Sequence, residues 1–161
     1  YLNMFYDCKK LETAPELPAT TLASSCYYSM FYGCTNLKTV SDLPAETLKD
    51  NCYCGMFFGC TNLEVAPKLP AKTLADRCYY YMFSGCDNLS SVTMLALSEQ
   101  ITNTPDYFNK WLDGAGTRAA SRTLKVKDAD AYNALVSTSV LPENWQKGQC
   151  TVKNESGTTI E

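Results

Sequence analysis

Nine cysteines, five methionines and eleven tyrosines are the side chains of this 161-residue chain that could do chemistry, and no histidine accompanies them. All but two of the cysteines fall into columns. Cys26, Cys52 and Cys78 recur at a 26-residue spacing, and so do Cys8, Cys34, Cys60 and Cys86. Thiolates beside thioethers could hold a soft metal such as Cu(I). Yet Met30, Met56 and Met82 recur once per unit, which core packing alone demands. Zinc sites space their thiols as Cys-x2-4-Cys, whereas Cys52-Tyr53-Cys54 leaves one residue between them and occurs once. Without histidine the chain lacks the usual general base, so Ser-His and Cys-His nucleophilic mechanisms are excluded. The carboxylates form no repeated pair of the kind a glycosidase uses. No catalytic residue, cofactor or metal ligand is therefore nominated.

The elements that position these side chains belong to a 26-residue unit: LPATTLASSCYYSMFYGCTNLKTVSD from Leu17, LPAETLKDNCYCGMFFGCTNLEVAPK from Leu43 and LPAKTLADRCYYYMFSGCDNLSSVTM from Leu69. Part of an earlier copy, YLNMFYDCKKLETAPE, opens the chain. Repeats of this length bury their apolar faces against their neighbours. From Thr21 to Phe31 the apolar residues Leu22, Cys26, Tyr27, Met30 and Phe31 are three and four apart, which predicts one face of a helix. Thr47 with Asp50, and Thr73 with Asp76, match a helix start, and Gly33 a left-handed stop. Leu37 to Leu43 reads as extended. Pro15 and Pro67 interrupt that segment in two copies, so its ladder must be short or one-sided. The expected fold is an α/β repeat solenoid, a leucine-rich-repeat-like right-handed coil with strands on one face and helices on the other, closed by a C-terminal capping α+β region.

On a continuous helix, Cys26 and Cys34 would lie about 12 Å apart, too far for a disulfide. Columnar cysteines in adjacent units could approach one strand spacing, about 4.8 Å, but their side chains point the same way. The columns therefore read as a ladder of reduced, buried thiols. Cys54 and Cys150 match no column and are the candidates for exposed thiols.

The units occupy residues 1–95. Residues 96–114 read as a degenerate capping repeat, with Thr104-Pro105-Asp106 starting a helix that carries Tyr107, Phe108, Trp111 and Leu112 and ends at Gly114. Residues 115–161 read as an α+β cap and polar tail. Leu124-Lys125-Val126-Lys127 alternates like a strand, and Asp128 caps a helix through Ala131, Tyr132, Leu135 and Val136. Pro142-Glu143-Asn144-Trp145 is a turn, Gln149 to Lys153 a second strand pairing with the first, and the tail from Asn154 is expected to be disordered.

The chain carries 14 basic and 17 acidic residues, a net charge of -3, mixed along both halves. Nothing supplies the basic stripe of a nucleic-acid binder. No apolar run approaches the length of a membrane span. The chain starts in mid-repeat, so a leader or lipid-attachment site is expected on the full-length protein. Positions that vary among copies are those the packing leaves free. Glu12, Lys38, Glu64 and Ser90 form one such column, Thr13, Thr39, Val65 and Ser91 the next, and Asp42 and Lys68 belong to another. We take Glu12, Lys38, Asp42, Glu64, Lys68 and Ser90 as the candidate contact face.

The recurring LPAxTL and MFxGCxxL motifs at fixed spacing resemble the BspA-like leucine-rich repeats of bacterial surface proteins, over residues 1 to about 95. FNKWLDGAGT, TLKVK and LPENW resemble the region that closes such arrays. The resemblance implies secretion or surface display, commonly in anaerobic Gram-negative bacteria, and adhesion to a protein or glycan partner. It carries over no catalytic or ligand residue. The expectation is a non-enzymatic recognition module, with a structural spacer or stalk as the alternative.

Overall fold

A computed structural model describes residues 1–103 and 105–161. Within them lie strand β1 (Ser91–Met94), helix α1 (Ser98–Asn103), strand β2 (Thr123–Val126), helix α2 (Ala129–Ser137) and strand β3 (Thr151–Lys153). Single 3-10 turns span Pro105–Phe108 and Glu143–Trp145. The strands form one open parallel sheet in the order β1-β2-β3. The expected α/β solenoid, a leucine-rich-repeat-like right-handed coil, is thus not the architecture found. Neither α-helix falls in the 26-residue units, and the sheet is small and open.

The physical reason lies in the backbone of Thr21 to Cys34 and its copies. Ser25, Ser29 and Gly33 have positive φ, as do Asn51, Gly55 and Gly59, and Arg77, Tyr81 and Gly85. Left-handed residues every fourth position are incompatible with an α-helix. They produce successive tight turns instead, in which every second N–H bonds back three residues, as Met30 does to Tyr27 and Cys34 to Phe31. The alternate N–H groups point outward to the following unit: Tyr27 to Cys52, Ser29 to Cys54, Phe31 to Met56 and Gly33 to Phe58. Apolar residues four apart on such a ribbon mimic the three-and-four spacing of a helix.

Ribbon and helix differ in how closely neighbours approach. Phe5, Phe31, Phe57 and Phe83 stack with ring centroids 5.5, 5.5 and 5.6 Å apart. Tyr27, Tyr53 and Tyr79 stack at 6.0 and 6.2 Å. Packed helices hold their axes about 8–10 Å apart, too far for such columns. These rings, with Met30, Met56, Met82, Leu37, Leu63 and Leu89, make a continuous core.

The extended segments touch mostly through single bridges, Thr13 to Thr39 and Val65 to Ser91 among them. Proline at 15 and 67 offers no N–H to a longer ladder. The first regular strand is therefore β1. Ser91 to Met94 pair with Thr123 to Val126, and Thr123 to Lys125 with Thr151 to Lys153. Val92, Met94, Leu124, Val126 and Val152 are buried on one side, so Ser91, Thr93, Thr123, Lys125, Thr151 and Lys153 share the other.

Helix α2 begins where Asp128 accepts a hydrogen bond from the Ala131 N–H at 2.9 Å. It packs on α1. Thr104, expected as a helix cap, lies outside the described residues. The helix expected beyond it is a 3-10 turn followed by further turns, with Phe108, Trp111 and Leu112 fully buried. The Trp111 indole donates to the Val140 carbonyl and that of Trp145 to Ala115. The tail is ordered, contrary to expectation. The Ile160 N–H donates to Val152, and Asn154 Oδ1 accepts from Ser156 and from the Thr158 N–H.

Candidate functional site

The six residues of the candidate face lie on the outer side of the extended segments, but in three places. Lys38 pairs with Glu12 at 3.3 Å, both well exposed. Ser90 donates from its N–H and its hydroxyl to the Glu64 carbonyl at 2.8 and 3.0 Å, next to Asn88 and Arg118. Asp42 accepts from the Lys68 N–H at 2.8 Å. That last pair adjoins the sheet and is joined there by residues the candidate set does not include.

Lys68 borders two adjoining hollows of about 300 and 200 Å³ that share Lys68, Leu95 and Glu155. The larger also holds Asp42, Thr93 and Lys125, and the smaller Glu46, Lys72 and Lys127. Lys72 pairs with Glu46 at 2.9 Å, and Lys127 with Glu155. The hydrogen bond from Lys127, reinforced by the charges of Lys127, Lys68 and Lys72, holds the Glu155 carboxyl below its ordinary range. Lys125 stands beside Lys153 in strand register. Among the described residues, neither of these nor Lys68 forms an ion pair. One sequence signal pointed here: alternation in Leu124-Lys125-Val126-Lys127 sets both lysines on one face. The approach of the tail carboxylate Glu155 had no such signal.

A larger hollow of about 410 Å³ lies at the first unit between Tyr1, Met4, Phe5, Leu17 and Tyr27. It is mostly apolar, with the Glu16 carboxylate in its lining.

The buried thiols are held away from reaction. Cys34, Cys60 and Cys86 donate to the carbonyls of Phe5, Phe31 and Phe57 at 3.1, 3.1 and 3.0 Å. Burial pushes Cys34 up to about 11 and Cys52 up to about 12, and raises Cys60, Cys78 and Cys86 as well. A thiolate nucleophile needs the opposite shift. Of the two cysteines expected to be exposed, Cys54 is buried and Cys150 half-buried, whereas Cys8 is exposed. Among the described residues no group of three or more His, Cys, Asp or Glu is arranged to hold a metal ion. Nor, among the described residues, is any helix long and apolar enough to cross a membrane. Compared with family models, with curated proteins and with solved structures, the chain matches none of them.

Proposed function

We propose that this chain is a non-enzymatic recognition module of a bacterial surface or secreted protein, which binds a protein or glycan through the outer face of its extended segments. The observation that carries this reading is how repetition and burial divide. Columns repeated from unit to unit, such as Met30, Met56, Met82 and Leu37, Leu63, Leu89, enter the core. The column that changes from unit to unit, Glu12, Lys38, Glu64 and Ser90, stays at the surface. Variation at the surface over a constant interior is how a scaffold carries recognition. Raised thiol pKa values and the lack of histidine weigh against catalysis. The surface or secreted setting rests on the motif resemblance.

The test is a panel of glycans and matrix proteins probed with the whole chain. Saturable binding is expected, and reversing charge at Lys38, Glu64 and Lys68 should weaken it without lowering the melting temperature. Flat responses across the panel would sink the recognition reading and favour a spacer.

A further inference from the structure

The outer face of the small sheet carries a charge pattern that its own stability does not explain. Lys125 and Lys153 are direct partners across β2 and β3. Like charges directly opposite one another in a sheet repel and destabilise it. Lys68 faces the same hollow as Lys125, and Lys72 and Lys127 line the adjoining one. Five lysines therefore meet only three carboxylates, Asp42, Glu46 and Glu155, in a chain whose net charge is -3. The excess positive charge is local, concave and adjacent to the hydroxyls of Thr93, Ser91, Thr123 and Thr151 along the strands.

We infer that this face binds an acidic polysaccharide, whose carboxylate or sulfate groups sit on Lys68, Lys125 and Lys153 while its hydroxyls meet the threonine and serine rows. The inference rests on the recognition reading and names its partner class. Charge complementarity calls for an anion. The hydroxyl rows of the strands can bond a polyol, which favours it over an acidic protein. The walls of the hollows are built from Val65, Ala66, Leu95, Leu97 and Pro70 with the hydroxyl of Thr93. They offer none of the Trp, Tyr or Arg anchors that dominate protein interfaces. Nor can a peptide add to the sheet beside β3, because Thr159 of the tail already bridges Lys153 there. Glu155 competes with the ligand for Lys127.

The test uses the whole chain against four immobilised probes: heparin for sulfate, polygalacturonate for carboxylate, dextran as a neutral glycan and polyglutamate as an acidic peptide. Retention on heparin or polygalacturonate is expected, falling with added salt, and little on dextran or polyglutamate. Which of the two acidic polysaccharides binds tells sulfate from carboxylate. Replacing both lysines, Lys125→Gln with Lys153→Gln, should weaken retention about tenfold. It should leave the melting temperature unchanged or higher, since it relieves a repulsion, whereas a mere folding defect would lower both. Lys49→Gln, away from the face, should change nothing, and Glu155→Gln should strengthen retention. Retention that ignores the double replacement, or equals that on polyglutamate, overturns the inference. Failure on both acidic polysaccharides with saturable binding elsewhere on the panel overturns the inference alone. Failure everywhere overturns the recognition reading with it.

Discussion

Cys52 has no exposed surface, and its thiol is held protonated to about 12, against an ordinary value of 9.0, chiefly by desolvation. Cys34, with no exposed surface either, reaches about 11. The unfolded chain loses these protons near the ordinary value while the folded chain keeps them, so raising the pH favours unfolding. Stability is fully present below pH 9 and is lost between 9 and about 12. Each fully buried thiol contributes a slope of about 1.4 kcal/mol per pH unit in that window. The melting temperature should thus stay level through neutral pH and fall steeply above pH 9, less so for Cys52→Ala. A level melting temperature to pH 10.5 would mean that the thiols are not buried. Columnar recurrence suggests a reduced, buried ladder; Cys8 is exposed and Cys26 half-buried, but the inner members are buried, and the bonds to Phe5, Phe31 and Phe57 show how Sγ of Cys34, Cys60 and Cys86 is accommodated. Cys54 escaped the sequence reading because its column elsewhere holds Tyr28 and Tyr80, larger side chains that reach further out.

Turns, not helices, are the working element of the repeats, and the glycines test this. Gly85 has a φ of +70°, and an added Cβ would meet Gly59 at an ordinary 3.7 Å. Gly85→Ala should therefore cost only the left-handed strain, about 1–2 kcal/mol. Gly116 has a similar φ, but its added Cβ would lie 2.6 Å from the Leu89 carbonyl oxygen and 2.9 Å from Arg122 Cδ. Arg122 cannot easily retreat, since its guanidinium bonds the carbonyls of Gly116, Asn144 and Gln149. Gly116→Ala should cost about 1–3 kcal/mol more, from overpacking. Denaturant melts of the two variants give the order, and the reverse order would contradict the turn geometry. Where local chemistry decided the conformation, the sequence was readable: the alternation at Leu124 to Lys127 and the Asp128 cap both correspond to elements found. The repeats look helical in sequence because Ser25, Arg77 and Tyr81 adopt positive φ without being glycine. Only hydrogen bonds to the next unit reveal that choice, and they are not local. The candidate face was legible as a set of exposed columns. The meeting of Lys68 with Lys125 and Glu155 depended on long-range closure and was not.

Across the whole molecule, cohesion passes from unit to unit through ring columns and the outward N–H groups. Phe57 lies inside its column, fully buried between Phe31 and Phe83, whereas Phe5 is half-buried and stacks on Phe31 alone. Phe57→Ala should cost about 3–5 kcal/mol and Phe5→Ala roughly half of that. Thermal melts measure the difference, and equal losses would mean that the column is not cooperative. The columns have an optical consequence as well. Parallel rings of one kind at this spacing share electronic excitation, so the folded chain should show coupled near-ultraviolet dichroism that vanishes when packing is lost. The Tyr79 ring lies 5.4 Å from Phe108, itself 5.2 Å from Trp111. Tyr79 is thus close enough to Trp111 for its excitation to pass directly to the indole, so tyrosine emission should be weak while the columns stand and should recover once they separate.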